Sequence, residues 1–441
     1  MELREEFLRY LSEAIGEESI DVVKNALDEP ASVSVRLNPS KCEGVHLPIL
    51  DGAQGVEWSS FGYLLKERPV FTLHPLFHAG VYYVQDSSAM YVGQAVRDML
   101  GRFGSLNRPV RVLDLCAAPG GKTTDLAASL RAAFGDSFLL VANEVMKARA
   151  TVLADNVGRW GDPNVIVTSV DPKAFACMKA FFDIIVADVP CSGEGMFRKD
   201  EEALAQWSPD NVRLCEERQR RIIADVWPAL SGGGVMVYST CTFNRFENDG
   251  NVDWICQELG AKKLSSRSLV PGFVPGEGQY CAAMVKDGDA AAELRKGKPQ
   301  KADAVQKMVS AYFDCPVSVR RKGDMVIAVP TVIADLVDHV ASNMPLLSSG
   351  TAVGQIKGSD LVPDEDLALC IALRRGAFAE AAIDKPTALA FLHKDAITLA
   401  EAPKGIVLLT YKNVPLGFVK NLGNRTNNLH PQSRRIRMDI K

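Results

Sequence analysis

Cys191 and Cys241 sit where covalent chemistry could be done. Each follows a short apolar run of the kind that forms a buried strand. Phe182-Asp183-Ile184-Ile185-Val186-Ala187-Asp188 leads into Val189-Pro190-Cys191-Ser192-Gly193-Glu194-Gly195, and Gly234-Val235-Met236-Val237-Tyr238-Ser239 leads into Thr240-Cys241-Thr242. If the usual order of a doubly wound sheet holds, these strands are neighbours and both thiols face one pocket. A thiol at its ordinary pKa is little ionised near neutrality, so a site that uses one must favour the thiolate. Taken alone, either cysteine reads as a small buried hydrophobe. The ten cysteines are spread without a C-x-x-C pair, which suggests neither a zinc site nor a disulfide framework.

A paired thiol site suits one problem well. Carbon 5 of cytosine is too weak a nucleophile to take a methyl group unaided. A thiolate adding to carbon 6 raises the electron density at carbon 5, which can then attack a sulfonium methyl group. A base afterwards removes the carbon-5 proton and the thiol is expelled, so one difficult step becomes several easier ones. Asp188, at the end of the first of the two strands, is positioned to hold the ring nitrogens.

A ligand loop precedes both cysteines. Val110-Arg111-Val112-Leu113-Asp114-Leu115 runs into Cys116-Ala117-Ala118-Pro119-Gly120-Gly121-Lys122-Thr123, where small residues let the backbone approach a ligand ahead of a helix. Gly121-Lys122-Thr123 fits the end of a Walker A loop, but Cys116 stands where its first glycine belongs. The G-x-G-x-x-G dinucleotide pattern is absent too. Glu144 closes the next strand, where a carboxylate can accept from two ribose hydroxyls, and Asp171 follows the third, within reach of an adenine amino group. Singly, each acid reads as a surface or capping carboxylate. Recurrence at successive strand ends is what points to a ligand.

The elements that must hold these residues alternate strand and helix between about 108 and 245, which indicates an α/β fold around a parallel sheet covered on both faces. Residues 1–75 read as a small α/β region, opening with a helix and a strand at Ser32–Pro39. Residues 76–287 carry the sheet, a polar linker spans about 287–305, 306–376 form a connecting domain, and 377–441 a compact β-rich module. The 441 residues are 47% hydrophobic with a net charge of −4. No apolar run approaches the roughly 20 residues of a membrane span, and a cytoplasmic, monomeric protein without metal is expected. From Lys404 onward eight basic residues face one acid, so this end is basic and the remainder acidic. Such an end suits a phosphate-binding module, with a solvated tail as the alternative.

These segments resemble the Nop/Sun family of RNA cytosine-carbon-5 methyltransferases. The resemblance rests on the Asp114–Thr123, Asp188–Gly193 and Ser239–Thr242 stretches, with His74-Pro75-Leu76-Phe77 and Gly80–Ser88 ahead of them. Gly195-Met196-Phe197-Arg198-Lys199-Asp200 and Trp207-Ser208-Pro209 are similar to its bacterial RsmF-type branch, which acts on small-subunit ribosomal RNA. The resemblance implies a Rossmann-like class I methyltransferase sheet that takes S-adenosylmethionine. Cys241 would be the nucleophile, with Cys191 assisting release. Cys116, Ala117, Ala118, Pro119, Gly120, Gly121, Lys122, Glu144, Asp171 and Asp188 would line the cofactor site. It also implies a PUA-like C-terminal module that binds RNA, where Arg425, Arg434, Arg435 and Arg437 are candidates for phosphate contact. Two departures stand out: Phe246 replaces an acid after the nucleophile, and a Pro-His segment is not evident before Gly276-Glu277-Gly278. Rival readings make Cys191 the nucleophile, transfer RNA the substrate, or the chain an RNA-binding assembly factor without activity.

Overall fold

Val110–Asp114, Phe138–Asn143 and Val165–Thr168 are buried at every position, as strands covered on both faces must be. The computed structural model describes residues 3–289, 291–293, 303–358 and 360–440, so the expected linker lies partly outside the described residues. These three strands are β1, β2 and β3 of a central sheet. Phe182–Asp188 is β4, Leu230–Thr240 β5, Ala261–Leu269 β6, Gln279–Lys286 β7 and Leu346–Ser348 β8. Their order is β6-β7-β5-β4-β1-β2-β3-β8. Alternate side chains of these strands feed two cores. Val112, Leu140, Ile184 and Val237 pack on one face, and Leu113, Val141, Ile185 and Tyr238 on the other. Each such side chain contributes about 1.5–3 kcal/mol on burial.

The chain lays down β1, β2 and β3 outward, then returns to start β4 on the other side of β1. β1 pairs in parallel with both β2 and β4, and β4 with β5. The order therefore reverses between β1 and β4, where open α/β sheets bind ligands. The sheet is mixed rather than wholly parallel. β7 and β6 add antiparallel beside β5, and β8 adds antiparallel beside β3. Most of β6 is exposed, and Lys262, Lys263 and Arg267 along it are charges that discourage edge pairing.

The N-terminal stretch is two helices, Glu5–Ile15 and Ile20–Asp28, parted at Gly16 with φ +87°. A four-stranded sheet follows in the order Gln54–Val56, Ser59–Leu64, Ser34–Leu37, Tyr82–Val84. The alternation at Ser32–Pro39 does mark a strand, yet all four of its residues are buried. Arg36 explains this. Only 1% exposed, it donates to Gln85 Oε1 (2.8 Å), Gly121 O (3.1 Å) and Thr124 Oγ1 (2.5 Å), and its guanidinium lies 4.7 Å over the Trp160 ring. The N-terminal sheet is thereby tied to the helix Gly121–Phe134 that follows β1.

A third sheet (Val317–Lys322, Met325–Pro330, Thr351–Lys357, Asp360–Pro363) and a fourth (Ala379–Ala382, Gly405–Tyr411, Val414–Asn421, Thr426–Asn428) complete the structure. Val35, Leu37 and Val81 share a core with Phe391, Val407 and Val419, so the C-terminal module packs on the N-terminal sheet rather than trailing as a tail. Arg434, expected to meet phosphate, is instead a tie within the fold. Its side chain is 9% exposed and bonds Asp155, Glu365 (3.0 Å) and Asp366 (2.8 Å), while His430 Nδ1 meets the other oxygen of Glu365. Arg435 is half-buried, with its Nε buried and unpaired, whereas Arg425 and Arg437 are exposed. Breaking a buried pair from one side leaves uncompensated charge and costs about 3–5 kcal/mol. Arg434→Met should therefore lower stability to urea by about that amount, and Arg437→Gln by less than about 0.5 kcal/mol. Equal effects would show that the Arg434 network is not a structural tie.

Candidate active site

The carboxyl ends of β1, β4, β5 and the start of β7 meet around a cleft of about 360 Å³. The loop after β1 is held open to it by main-chain bonds. Leu115 N donates to Val186 O and Ala117 N to Asn143 O, both 2.8 Å. Asn143 also donates to Leu115 O (3.2 Å) and Val170 O (3.0 Å), so one amide joins the ends of three strands. Gly120 has φ +114°, a conformation open to glycine. Lys122, in the first turn of the next helix, reaches back to Asp188 Oδ2 at 2.9 Å. Asp188 Oδ1 accepts from Ser239 Oγ (2.7 Å) and Gln279 Nε2 (3.1 Å). Burial works against the Lys122 charge, but Asp188 outweighs it and leaves the ammonium above its ordinary pKa. Asp114, buried and bonded by Thr123 Oγ1 (2.6 Å), has its carboxyl pushed up to about 7 by that burial.

Because β4 and β5 are parallel neighbours in register, with Asp188 beside Ser239, the loops that leave them run side by side. Cys191 Sγ and Cys241 Sγ are 3.2 Å apart, with both cysteines free. The hydrogen bond to Cys241, then burial, raises the Cys191 thiol well above its usual value. Two carboxylates lock the loops reciprocally. Glu194, three residues after Cys191, accepts from the amides of Phe243 (2.6 Å) and Asn244 (3.1 Å) in the Cys241 loop. Glu247, six residues after Cys241, accepts from the amide of Ser192 (2.9 Å) in the Cys191 loop. Asn244 Nδ2 donates to both acids, at 3.0 and 2.8 Å, and Gln219 to Glu247 at 2.7 Å. Gly195 N donates to Cys241 O at 2.7 Å, and a Cβ there would lie 2.7 Å from that same oxygen. The loops touch too closely for a side chain.

Of the residues singled out from sequence, Cys116, Ala117, Ala118, Pro119, Gly121, Lys122, Asp188 and Cys241 line the cleft, and Cys191 stands behind Cys241. Gly120, Glu144 and Asp171 do not line it. Glu144 is buried, accepting from Met146 N (2.9 Å) and facing Arg149 (3.5 Å), while exposed Asp171 caps the turn Pro172–Cys177 through Lys173 N (3.0 Å). Glu194, Asn244, Glu247 and Gln219 were missed by sequence reasoning. The available signal was a carboxylate shortly after each cysteine, on a loop otherwise rich in small and amide residues. Among the described residues no group of three or more His, Cys, Asp or Glu side chains could hold a metal, and no helix is long and apolar enough to cross a membrane.

A strand order that reverses beside a Gly-rich loop, with this cleft at the strand ends, is the Rossmann-like methyltransferase fold. The crystal structure of NSun6 from Pyrococcus horikoshii with SFG superposes with a TM-score of 0.53 at 18% identity, over 65% of this chain and 99% of that one. Residues 106–286 match the family described as 16S rRNA methyltransferase RsmB/F. Residues 3–87 match the N-terminal domain of 16S rRNA methyltransferase RsmF, and 378–436 the methyltransferase RsmF PUA domain. Ribosomal RNA small subunit methyltransferase F of Serratia proteamaculans is 42% identical over 41% of this chain, a match that spans only 36% of that relative's length. The protein of the same description from Salmonella paratyphi B is 28% identical over 97% of this chain and 95% of its own. Through these three models and the relative matched along its length, the chain is similar to the RsmF group of ribosomal RNA small-subunit methyltransferases.

Burial, then the neighbouring Glu194, pushes the Glu247 carboxyl up to about 7. The folded protein thus holds that proton more tightly than the unfolded chain, where the ordinary value is 4.5. Stability from this group is fully present below about pH 4.5 and is lost as pH rises to about 7. In Glu247→Gln the fall in unfolding free energy between pH 5 and 7 should be shallower than in the parent. Parallel slopes would show that Glu247 carries no such proton.

Proposed function

We propose that the protein methylates carbon 5 of a cytosine in RNA, with S-adenosylmethionine as donor and Cys241 as nucleophile. The observation that carries this is the thiol pair, 3.2 Å apart, whose Cys241 lines one cleft with the Lys122–Asp188 ion pair. The residues fit the donor. The loop from Cys116 to Gly121 offers backbone and small side chains, and Asp114, Glu144, Asp171 and Asp188 stand at or just beyond strand ends. Of these acids only Asp188 lines the cleft, where a carboxylate suits a cationic sulfonium, and the NSun6 structure was solved with SFG, an analogue of that donor. When bound, the donor supplies an electrophilic methyl group.

The protein's own residues do the rest. The Cys241 thiolate forms the bond to carbon 6 and pushes electron density to carbon 5. Asp188, fixed by Lys122, Ser239 and Gln279, holds the ring at its nitrogens. Once carbon 5 carries its methyl group, the carbon-5 proton must leave and the Cys241 sulfur must be expelled. Cys191, whose thiol touches that sulfur, assists this release. Small-subunit ribosomal RNA is the substrate we favour, from the family matches and the PUA module. With Arg434 engaged inside the fold, Arg425, Arg435 and Arg437 remain as phosphate contacts.

Cys241→Ser should lower methyl transfer to ribosomal RNA by at least about 10³-fold, whereas Cys191→Ser should accumulate protein joined to RNA. Accumulation in the Cys241 variant instead would reverse the two roles. S-adenosylmethionine at a hundred times its Kd should add about 2.7 kcal/mol of stability. No rise in Tm at millimolar concentration would contradict the cofactor assignment.

A further inference from the structure

Gln279 opens β7 and is 2% exposed, yet it lines the cleft with Lys122, Asp188 and Cys241. β7 runs antiparallel to β5 with Tyr280 opposite Thr240, so the next pair along that register sets Gln279 level with Cys241. The turn before it leaves no slack. Gly278 has φ +98°, and a Cβ there would lie 2.3 Å from the Phe243 ring. Its amide is fixed by Ser88 Oγ at 3.0 Å.

The side-chain amide is fixed as well. Gln279 Nε2 donates to Asp188 Oδ1 at 3.1 Å, and a carboxylate held by Lys122 can only accept. The amide therefore keeps its NH₂ toward Asp188 and its Oε1 away from it. Nε2 to Asp188 is the one side-chain hydrogen bond Gln279 makes among the described residues, which leaves Oε1 free on the residue's cleft side. The cleft thus offers an idle acceptor at Gln279, a carboxylate at Asp188 and a donor at Lys122.

A pyrimidine bonded through carbon 6 to Cys241 turns its carbon-4 substituent, nitrogen 3 and oxygen 2 toward the far side of the ring. Oxygen 2 is common to cytosine and uracil, so the Lys122 donor cannot distinguish them. The carbon-4 group can: cytosine carries an amino donor there, and uracil a carbonyl acceptor. We infer that Gln279 is the residue that selects cytosine over uracil, its Oε1 accepting from the exocyclic amino group. The selection rests on the proposed RNA cytosine methylation. It works because the amide cannot flip to serve uracil: turning its NH₂ to the uracil carbonyl would face Oε1 against the Asp188 carboxylate. Two acceptors would be left opposed across the cleft, which is how a built site rejects an analogue with the wrong polarity.

The target position is first mapped as the 5-methylcytosine that the protein adds to small-subunit ribosomal RNA, and short RNAs then bear it as cytosine, uracil, or pyrimidin-2-one, which lacks the carbon-4 amino group. Rates of adduct formation are measured under single turnover in the full-length protein. Between the parent and Gln279→Met, the ratio of pyrimidin-2-one rate to cytosine rate should rise by about fivefold or more, the worth of one buried hydrogen bond. The uracil RNA should begin to react in the variant. Gln279→Asn, which keeps an amide one methylene shorter, guards against a variant that merely misfolds and should shift the ratio less. A ratio unchanged within twofold in both variants overturns the inference while leaving the methylation reading intact. Failure of the parent to react with any cytosine RNA overturns that reading, and the inference falls with it.

Discussion

The site depends on one constraint: β4 and β5 lie side by side in parallel and in register, and so release their cysteine loops from the same sheet end. Parallel neighbours deliver two loops in the same direction, but nothing in the sheet itself keeps those loops together. The reciprocal carboxylates do that. Glu194 grips the amides of the Cys241 loop and Glu247 grips an amide of the Cys191 loop, with Asn244 and Gln219 satisfying the remaining lone pairs. Two buried acids this close are expensive unless both are fully bonded. Here each takes three or more donors, and Glu247 eases the repulsion further by holding its proton up to about pH 7.

The outer modules are built onto that centre through charge as well as apolar packing. Arg36 carries the N-terminal sheet onto the helix that follows the ligand loop, and Arg434 carries the C-terminal end onto the helix Lys147–Trp160 through Asp155. Both guanidiniums are almost wholly buried and multiply bonded, a use for which the planar five-donor fork suits arginine better than lysine. The proposed RNA-binding surfaces are thus held rigidly relative to the cleft. A flexible tether would leave the target base to find the thiols unaided.

The sequence made the central sheet legible because its strands are buried on both faces and read as continuous apolar runs. The cysteines were legible for the same reason, since each stands just past such a run. What escaped were elements whose signal is set by tertiary context. β6 is an exposed edge strand whose lysines, serines and arginine look like loop. β8 is three residues long and is a strand only because β3 offers it an edge. Arg434 looked like a surface cation because its acidic partners come from residues 155, 365 and 366, far away in the chain. Gln279 carried no motif, and its interest lies in a single hydrogen bond to Asp188.

The central claim is that Cys241, and not Cys191, bonds to the base. An RNA with 5-fluorocytosine at the target position cannot lose its carbon-5 substituent as a proton, so the covalent complex should persist in the unaltered protein. Protease and nuclease digestion followed by tandem mass spectrometry then identifies the modified peptide. The nucleotide is expected on the peptide that contains Cys241; finding it on the peptide that contains Cys191 would contradict that assignment.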